Sequence, residues 1–375
     1  MDQAHLIVVG GGVAGAAAAL RAAQYHLRCI WVTGTRDTHK RSRAAYVMNI
    51  DNMIGVHPGI MRDKVARELS ASHPDTARVV EAAHFHISTM DLVANVRARI
   101  AAAFADQVAE FAEEATEASR TETGFRVVAG AGRHEAPSLV LATGVMDRQP
   151  VVHKKKGDRT LAGIHWLFPY ANQESLLYCI RCEGHLTAGQ RVAVIGAGAG
   201  AAEVALMLRE RYGVAVTILT AGADRGGDER RDRLLALSDV GIVHGRLTDV
   251  QGAEKGARLH GFTVEDGSDV AVDRAFVVMG LARVYNDLAR QLGAALEDAP
   301  VPVERRHVIV DASSETSVPD LFAVGDMTRM ADRSIMKQVY TAQEFAVRAI
   351  DTIDRRRRQA HREALLAGAD RRAGS

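Results

Sequence analysis

The chain opens with the stretch LIVVGGGVAG at residues 6–15, and an alanine-rich segment follows it to residue 23. A short apolar run, a glycine-rich turn and helix-forming residues predict a strand, a tight turn and a helix. Gly10, Gly12 and Gly15 have the spacing G-x-G-x-x-G, in which the first glycine permits the turn and the second lets a pyrophosphate approach the backbone. The third lets the helix pack closely on the strand, so this stretch predicts a dinucleotide-binding βα unit.

The same pattern returns in the second half of the chain. Residues 192–195 form a short apolar run, a glycine loop occupies 196–201, and helix-forming residues follow to 209. Within this loop Gly196, Gly198 and Ala201 have the spacing G-x-G-x-x-A, a variant of the same motif. Two such openings in one chain predict an α/β fold of two Rossmann-like dinucleotide-binding domains, each built on a parallel central sheet.

Composition and charge narrow the class of protein. A chain of 375 residues is long enough for two to three domains, and 47% hydrophobic with 25% charged residues is ordinary for a globular protein. The 47 Lys and Arg against 46 Asp and Glu leave a net charge of +1, without the basic excess typical of nucleic-acid binding. Glu203 interrupts the most apolar stretch, and residues 1–9 lack the features of a signal peptide. We therefore predict a cytoplasmic protein with neither a membrane span nor a nucleic-acid partner.

A cysteine pair, Cys179 and Cys182, lies just ahead of the second glycine loop. The C-x-x-C spacing in a cytosolic enzyme is typical of a redox dithiol, because two intervening residues allow a small disulfide ring. The thiolate is the reactive form, and the neighbouring Arg181 favours it. Glu183 follows the second cysteine directly and is the candidate proton carrier for the leaving thiol.

Two other interpretations of the pair stay open, a zinc site and a pair of inert cysteines. A closed structural zinc site takes four ligands. Outside the pair the chain offers Cys29, expected to be a buried apolar residue of a strand, and His185, which no suitably spaced second histidine follows. The redox interpretation is therefore favoured, and no metal site is predicted.

Two dinucleotide motifs with C-x-x-C immediately before the second resemble the low-molecular-weight thioredoxin reductases, which are class II pyridine nucleotide-disulfide oxidoreductases. The resemblance spans about residues 5–350. It implies bound FAD, a homodimer, and a thioredoxin-like protein or a small disulfide or dithiol as substrate. The most specific match is the segment 316–326, whose Asp326 would bind the ribityl chain of the flavin, while residues 337–339 would lie against the isoalloxazine ring. The residues that the resemblance assigns to FAD are Gly10, Gly12, Val13, Ala14, Gly15, Asn52, Thr143, Gly144, Gly325, Asp326, Lys337, Gln338 and Val339.

The chain departs from the family pattern where the nicotinamide nucleotide would bind. The family has a His-Arg-Arg run after the strand that corresponds to residues 214–219, and that run holds the 2′-phosphate of NADPH. This chain has Thr220-Ala221-Gly222 there, and the arginines at 225, 230 and 231 are the candidates to replace the run. The intact loop with Gly196, Gly198 and Ala201 secures the fold, so NADPH, NADH and a vestigial site all stay open. Glu183 stands where the family usually has Asp.

The motifs predict a discontinuous FAD domain at residues 1–147 and 283–355, a second domain at 148–282 that carries the cysteine pair, and an Arg-rich tail at 356–375. The predicted enzyme is an FAD-dependent disulfide oxidoreductase that passes electrons from NAD(P)H through flavin to the Cys179–Cys182 disulfide and on to a protein or small disulfide. One alternative is an NADPH-independent flavoenzyme, either a dithiol oxidase that uses oxygen or a reductase fed by an acidic protein donor such as ferredoxin. The basic clusters at 40–43 and 154–156 fit such a donor. A second alternative is a non-catalytic flavin redox sensor.

Overall fold

A computed structural model describes residues 3–47, 50, 52–53, 88–224, 226–253, 256 and 258–373. Its helices are α1 (Val13–Gln24), α2 (Arg36–Lys40), α3 (Thr89–Ala103), α4 (Phe168–Asn172), α5 (Ile180–Glu183), α6 (Gly198–Tyr212), α7 (Glu229–Leu237), α8 (Asp287–Gln291) and α9 (Val339–Ala373). Its strands are β1 (Leu6–Val9), β2 (Cys29–Val32), β3 (Val108–Phe111), β4 (Ala115–Thr121), β5 (Gly124–Ala129), β6 (Gly132–Ala136), β7 (Ser138–Leu141), β8 (Val145–Asp147), β9 (Val152–Lys156), β10 (Arg159–Gly163), β11 (Leu176–Leu177), β12 (Arg191–Gly196), β13 (Ala215–Leu219), β14 (Val240–Val243), β15 (Leu247–Gly252), β16 (Leu259–Val264), β17 (Asp269–Ala271), β18 (Arg274–Val278), β19 (Leu281–Val284), β20 (Val308–Ile309), β21 (Leu321–Ala323) and β22 (Thr328–Arg329).

The described residues fall into two compact units. The first lies within Met1–Ala45, Thr89–Met146 and Arg283–Ser375, and the second within Tyr46–Ser88 and Asp147–Ala282. Strands β8 and β19, in which the chain passes from one unit to the other, pair with each other. The prediction assigned all of residues 1–147 to the first domain, whereas the described residues between 46 and 88 group with the second unit. The predicted domain limits stay a prediction.

The first unit is built on a five-stranded parallel sheet in the order β21-β7-β1-β2-β3. Strands β1 and β7 are buried along their whole length, as expected for a parallel sheet with covered faces. Helix α1 packs against α3 and α9, and its buried residues are mostly alanines, which allow a close approach. Because β21, β7 and β1 are parallel neighbours, the loops that follow them lie at one edge of the sheet. A smaller antiparallel sheet, β4-β5-β6, completes the unit.

The second unit contains a second five-stranded parallel sheet, in the order β11-β18-β12-β13-β14. Helix α6 covers β12 and β13 with a buried face that includes Ala202, Ala205 and Leu208. A further sheet, β10-β9-β15-β16-β17, contributes Phe262 and Leu259 to a separate core cluster. The predicted fold class, an α/β protein with two Rossmann-like parallel sheets, is therefore confirmed.

The C-terminal helix α9 continues through most of the predicted Arg-rich tail. Ile353 is buried, and the guanidinium of Arg356 pairs with the carboxylates of Glu315 at 2.6 Å and Asp320 at 2.9 Å. The helix is therefore anchored to the first unit as far as Arg356, and its side chains from 357 to 367 are exposed. Among the described helices, α9 included, none combines the length and the apolar character that a membrane span requires.

Candidate active site

The loop between β1 and α1 shows why its glycines are required. A Cβ at Gly10 would lie 2.2 Å from the carbonyl oxygen of Ala142, and a Cβ at Gly15 would lie 1.9 Å from that of Gly10. A Cβ at Gly12 would meet no described atom within 4 Å, so the space beside Gly12 is open to a ligand. Gly12 is the N-cap of α1, whose first turn, with Val13 and Ala14, contains no acidic residue. The first N–H groups of a helix have no intrahelical partner, so this turn can bind a phosphate.

The predicted flavin residues that follow β7 and β21 lie beside this loop. The hydroxyl of Thr143 donates to the carbonyl oxygen of Tyr285 at 2.5 Å, and the carbonyl of Gly144 accepts from the N–H of Tyr285 at 3.0 Å. A Cβ at Gly325 would lie 2.8 Å from the Cβ of Ala14. The sheet therefore brings three segments that are far apart in sequence to one edge.

Asp326 and Lys337 are both partnered within the first unit. Nη1 of Arg43 lies 2.7 Å from Oδ2 of Asp326, a pair that spans 283 residues of sequence. Lys337 is partly buried, and its Nζ donates to the carbonyl oxygen of Thr328. Burial lowers the pKa of Lys337 to about 8, with Asp326 and Arg43 acting in opposite directions. The other two predicted residues of this segment lie at the start of α9, namely Gln338, which is buried, and Val339.

The cysteine pair forms a disulfide at the start of α5, with Cα atoms 5.3 Å apart. Cys179 is the N-cap residue, and its Sγ accepts a hydrogen bond from the N–H of Cys182 at 3.2 Å. Cys182 is 7% exposed, whereas Cys179 is half-buried. The third cysteine, Cys29, is fully buried in β2, and burial raises the pKa of its thiol.

Asn52, predicted to contact the flavin, groups with the second unit. Its Nδ2 lies 3.6 Å from the Sγ of Cys182. Residues 51, 54 and 55, on either side of Asn52, lie outside the described residues. The described geometry therefore associates Asn52 with the disulfide, and its predicted contact with FAD stays a prediction.

Glu183 is buried and holds the backbone in front of the disulfide. Its Oε2 accepts hydrogen bonds from the N–H groups of Tyr178 and Cys179, both at 3.1 Å. The half-buried guanidinium of Arg274 interacts electrostatically with this carboxylate. Glu183 thereby fixes the position of the Cys179 backbone, which the sequence did not indicate. Its predicted role as a proton carrier stays a prediction.

Aromatic side chains cluster around Tyr178, the residue that precedes Cys179, within the second unit. The ring of Tyr46 lies 5.8 Å from that of Phe168 and 6.4 Å from that of Tyr178, measured between centroids. Phe168 is 37% exposed, and the Tyr178 hydroxyl donates to Oε1 of Gln149 at 2.6 Å. Burial raises the pKa of Tyr178, so this phenol stays protonated at neutral pH. The aromatic cluster thus begins at the residue before the disulfide, and part of it is open to solvent.

The second glycine loop makes the same close backbone approach at its first glycine as the first loop. A Cβ at Gly196 would lie 2.0 Å from the carbonyl oxygen of Val278, and Ala201 is buried. Helix α6 begins at Gly198 without an acidic residue in its first turn and without a side-chain cap from Ala197. This turn can therefore bind a phosphate in the second unit.

The arginines predicted to replace the His-Arg-Arg run differ in their surroundings. The guanidinium of Arg231 donates to the carbonyl oxygen of Gly226 at 2.7 Å and lies 3.6 Å from Asp232. Arg230 is exposed on α7, and Arg225 lies outside the described residues. Arg231 thus serves at least in part to hold its own loop.

Comparisons with known proteins are consistent with this arrangement. The family model described as "Pyridine nucleotide-disulphide oxidoreductase" matches residues 4–346. A protein of Pseudomonas aeruginosa that is named as a subunit of alkyl hydroperoxide reductase is 28% identical over 370 residues, which cover 94% of this chain and 59% of that protein. The chain therefore spans about three fifths of the length of this curated relative.

Two solved structures have the same fold. The thioredoxin reductase of Streptococcus pyogenes superposes with a TM-score of 0.68 at 18% identity, over 93% of this chain and 96% of that chain. An oxidoreductase from Agrobacterium tumefaciens superposes with a TM-score of 0.65 at 22% identity, over 97% and 99%.

Proposed function

Because the chain belongs to the pyridine nucleotide-disulphide oxidoreductase family, we propose that it uses NAD(P)H and bound FAD to reduce the Cys179–Cys182 disulfide, and that the resulting dithiol reduces a protein or small disulfide. FAD is the cofactor that family membership implies. The observation that carries the proposal is the disulfide itself, which lies directly before an intact dinucleotide loop and has one sulfur hydrogen-bonded to the backbone.

The residues of the first unit fit the parts of FAD. The open space beside Gly12 and the start of α1 suit the pyrophosphate. Thr143, Gly144 and Asp326 lie at the same sheet edge and would hold the rest of the cofactor together with residues 337–339. When bound, FAD supplies two-electron chemistry between a nicotinamide and a disulfide.

The two cysteines have different roles in the proposal. Two electrons cleave the S–S bond, and two protons complete the dithiol. The N–H of Cys182 stabilises a thiolate on Cys179, which is also the more exposed residue of the pair. Cys179 attacks a sulfur of the substrate disulfide, releases one substrate thiol and forms a mixed disulfide. Cys182 then attacks Cys179, restores the internal disulfide and releases the second thiol.

The surroundings of the disulfide support a protein partner. Phe168 and Tyr46 form an aromatic cluster with Tyr178, the residue before Cys179, of the kind that a docking protein buries. We propose a thioredoxin-like protein as the substrate, with a small disulfide as the alternative. The Pseudomonas relative is named as a subunit of alkyl hydroperoxide reductase, and a partner of that class is a further candidate. The homodimer and the cytoplasmic location stay predictions.

Two measurements test the proposal. Anaerobic addition of NADPH or NADH to the purified holoenzyme should bleach the yellow flavin absorbance, and failure of both would point to oxygen or a protein donor as the electron partner. Steady-state reduction of a disulfide dye should be abolished in Cys179→Ser and Cys182→Ser, while Cys29→Ser, at the buried third cysteine, should keep it. Undiminished turnover in Cys182→Ser would overturn the dithiol mechanism.

A further inference from the structure

The carboxyl end of β13 determines which nicotinamide nucleotide a fold of this kind prefers. In dinucleotide domains the adenine ribose lies at the end of the second strand, where an acidic residue binds the 2′-hydroxyl of NADH or an arginine accommodates the 2′-phosphate of NADPH. Strand β13 is the second strand of the second unit and ends at Leu219. The inference that follows rests on the proposed function and refines its nucleotide site.

The segment after β13 is a tight turn that supplies neither an acid nor a cation. The N–H of Ala223 donates to the carbonyl oxygen of Thr220 at 3.0 Å. Ala221 and Gly222, the two central residues, have φ of 51° and 79°, the left-handed pair of a type I′ turn. Thr220 is buried, and its hydroxyl accepts from the N–H of Gly245 at 3.3 Å. Over the ribose position the turn therefore offers only a methyl group and a hydrogen atom.

The side-chain stem of an arginine in the neighbouring loop lies against this turn. A Cβ at Gly222 would lie 2.9 Å from the Cγ of Arg246 and 3.9 Å from its Cα. Two hydrogen bonds hold the two loops together. The N–H of Thr220 donates to the carbonyl oxygen of Val243 at 3.0 Å, and the N–H of Gly245 donates to the Thr220 hydroxyl. The stem of Arg246 thus packs on Gly222, at the end of β13.

The charge of Arg246 is available to a ligand. Its side chain is exposed and has no hydrogen bond or ion pair with the residues that the structure describes. Its backbone N–H donates to Oε2 of Glu265 at 3.4 Å, so one carboxylate lies nearby. Arg231, by contrast, donates to a carbonyl of its own loop.

We propose that Arg246 binds the 2′-phosphate of NADPH and makes the second unit selective for NADPH over NADH. A guanidinium can bind a phosphate with two parallel hydrogen bonds, and it stays charged at every physiological pH. The Glu265 carboxylate near the Arg246 backbone repels the same phosphate, so binding of the phosphate depends on the charge of Arg246.

Calorimetric titration of the holoenzyme with 2′,5′-ADP and with 5′-AMP tests the assignment without any turnover. Hydrogen bonds to charged groups of this kind correspond to about a tenfold to hundredfold change in affinity. We expect Arg246→Gln to weaken 2′,5′-ADP by that factor and to leave 5′-AMP unchanged, with Arg246→Lys intermediate. Arg211→Gln, the matched exposed control at the C-terminal end of α6, should bind both like the wild type.

The outcomes separate this inference from the proposed function. The role of Arg246 would be overturned if the wild type bound 2′,5′-ADP and 5′-AMP equally or bound neither. It would also be overturned if Arg246→Gln weakened both nucleotides equally or weakened neither. If NADPH or NADH still bleaches the flavin in that case, the proposed function stands. If 2′,5′-ADP binds through Arg246 but neither nucleotide bleaches the flavin, the inference stands and the proposed electron route fails.

Discussion

Substitution of Glu183 separates a positioning role for its carboxylate from a role in proton transfer. Glu183→Gln keeps nearly the same shape and an oxygen that can accept from the Tyr178 and Cys179 N–H groups, but an amide cannot exchange a proton at neutral pH. We expect this variant to fold with its disulfide formed and to keep most of its disulfide reductase turnover. Glu183→Ala removes the acceptor altogether and should lose both stability and turnover.

The magnitudes follow from the two hydrogen bonds at 3.1 Å. A hydrogen bond to a charged group contributes about 1.5–3 kcal/mol and a neutral one about 0.5–1.5 kcal/mol, so Glu183→Gln should lower the free energy of unfolding by about 2 kcal/mol. Glu183→Ala leaves two buried N–H groups without an acceptor, which costs roughly 1–3 kcal/mol each. We therefore expect a clear order of stability, from the wild type through the glutamine variant to the alanine variant.

Urea unfolding of the oxidised holoenzyme measures the stability, and steady-state reduction of a disulfide dye measures the turnover. Glu210→Gln, at an exposed position on α6, is the matched control and should change neither. The positioning argument is refuted if Glu183→Gln loses turnover as completely as Glu183→Ala while its urea midpoint stays close to that of the wild type. That result would assign proton transfer to the carboxylate.

Two further predictions concern the first unit. Gly10→Ala places a Cβ 2.2 Å from a backbone carbonyl oxygen and should lower the thermal midpoint sharply. Gly12→Ala meets open space, so this variant should fold normally but retain less FAD, measured as the ratio of flavin to protein absorbance. Equal thermal midpoints of the two variants would contradict this reasoning. Burial raises the pKa of Glu297, but hydrogen bonds from Arg329 and His307 outweigh it and lower the pKa to about 2. Because the folded-state pKa lies below the ordinary 4.5, the stabilisation is present above pH 4.5 and disappears as the pH falls towards 2. Glu297→Gln should flatten the fall of the urea midpoint over that range, and an unchanged slope would exclude this carboxylate as its source.

The parts of the fold that the sequence predicted are those that local chemistry determines. Gly10 and Gly196 each precede a helix and follow a buried strand, and a Cβ at either would collide with a backbone carbonyl of the next strand. That collision makes glycine necessary wherever this βα turn occurs, so the pattern is visible in one chain without its relatives. The spacing of Cys179 and Cys182 likewise requires no tertiary information, because the ring that the disulfide closes is contained within α5 and its N-cap.

The parts that the sequence did not predict depend on contacts between distant segments. The pair between Arg43 and Asp326 joins residues 283 positions apart, so Arg43 could be recognised only as one member of a basic cluster. Arg356 could not be recognised either, because its partners Glu315 and Asp320 lie on another segment of the chain. These two ion pairs anchor the part of α9 that the sequence predicted as the start of a tail. Glu183 is different, because it is near its partners in sequence, but the direction of its side chain is set by the backbone turn and not by residue type.

The absence of a His-Arg-Arg run after β13 shows how local sequence and contacts between distant segments combine. The tight turn has Ala221 and Gly222 at its centre, and neither residue has a long side chain that could reach a ribose phosphate. This segment alone therefore predicts a site without a phosphate contact. The stem of Arg246, however, occupies the volume that a side chain at position 222 would need. The small turn and the arginine of the next loop therefore depend on each other, because a larger residue at 222 would displace Arg246. A specificity contact of the kind we propose for Arg246 can move in this way from one loop to its neighbour while the strand order, and with it the position of the ribose, stays the same.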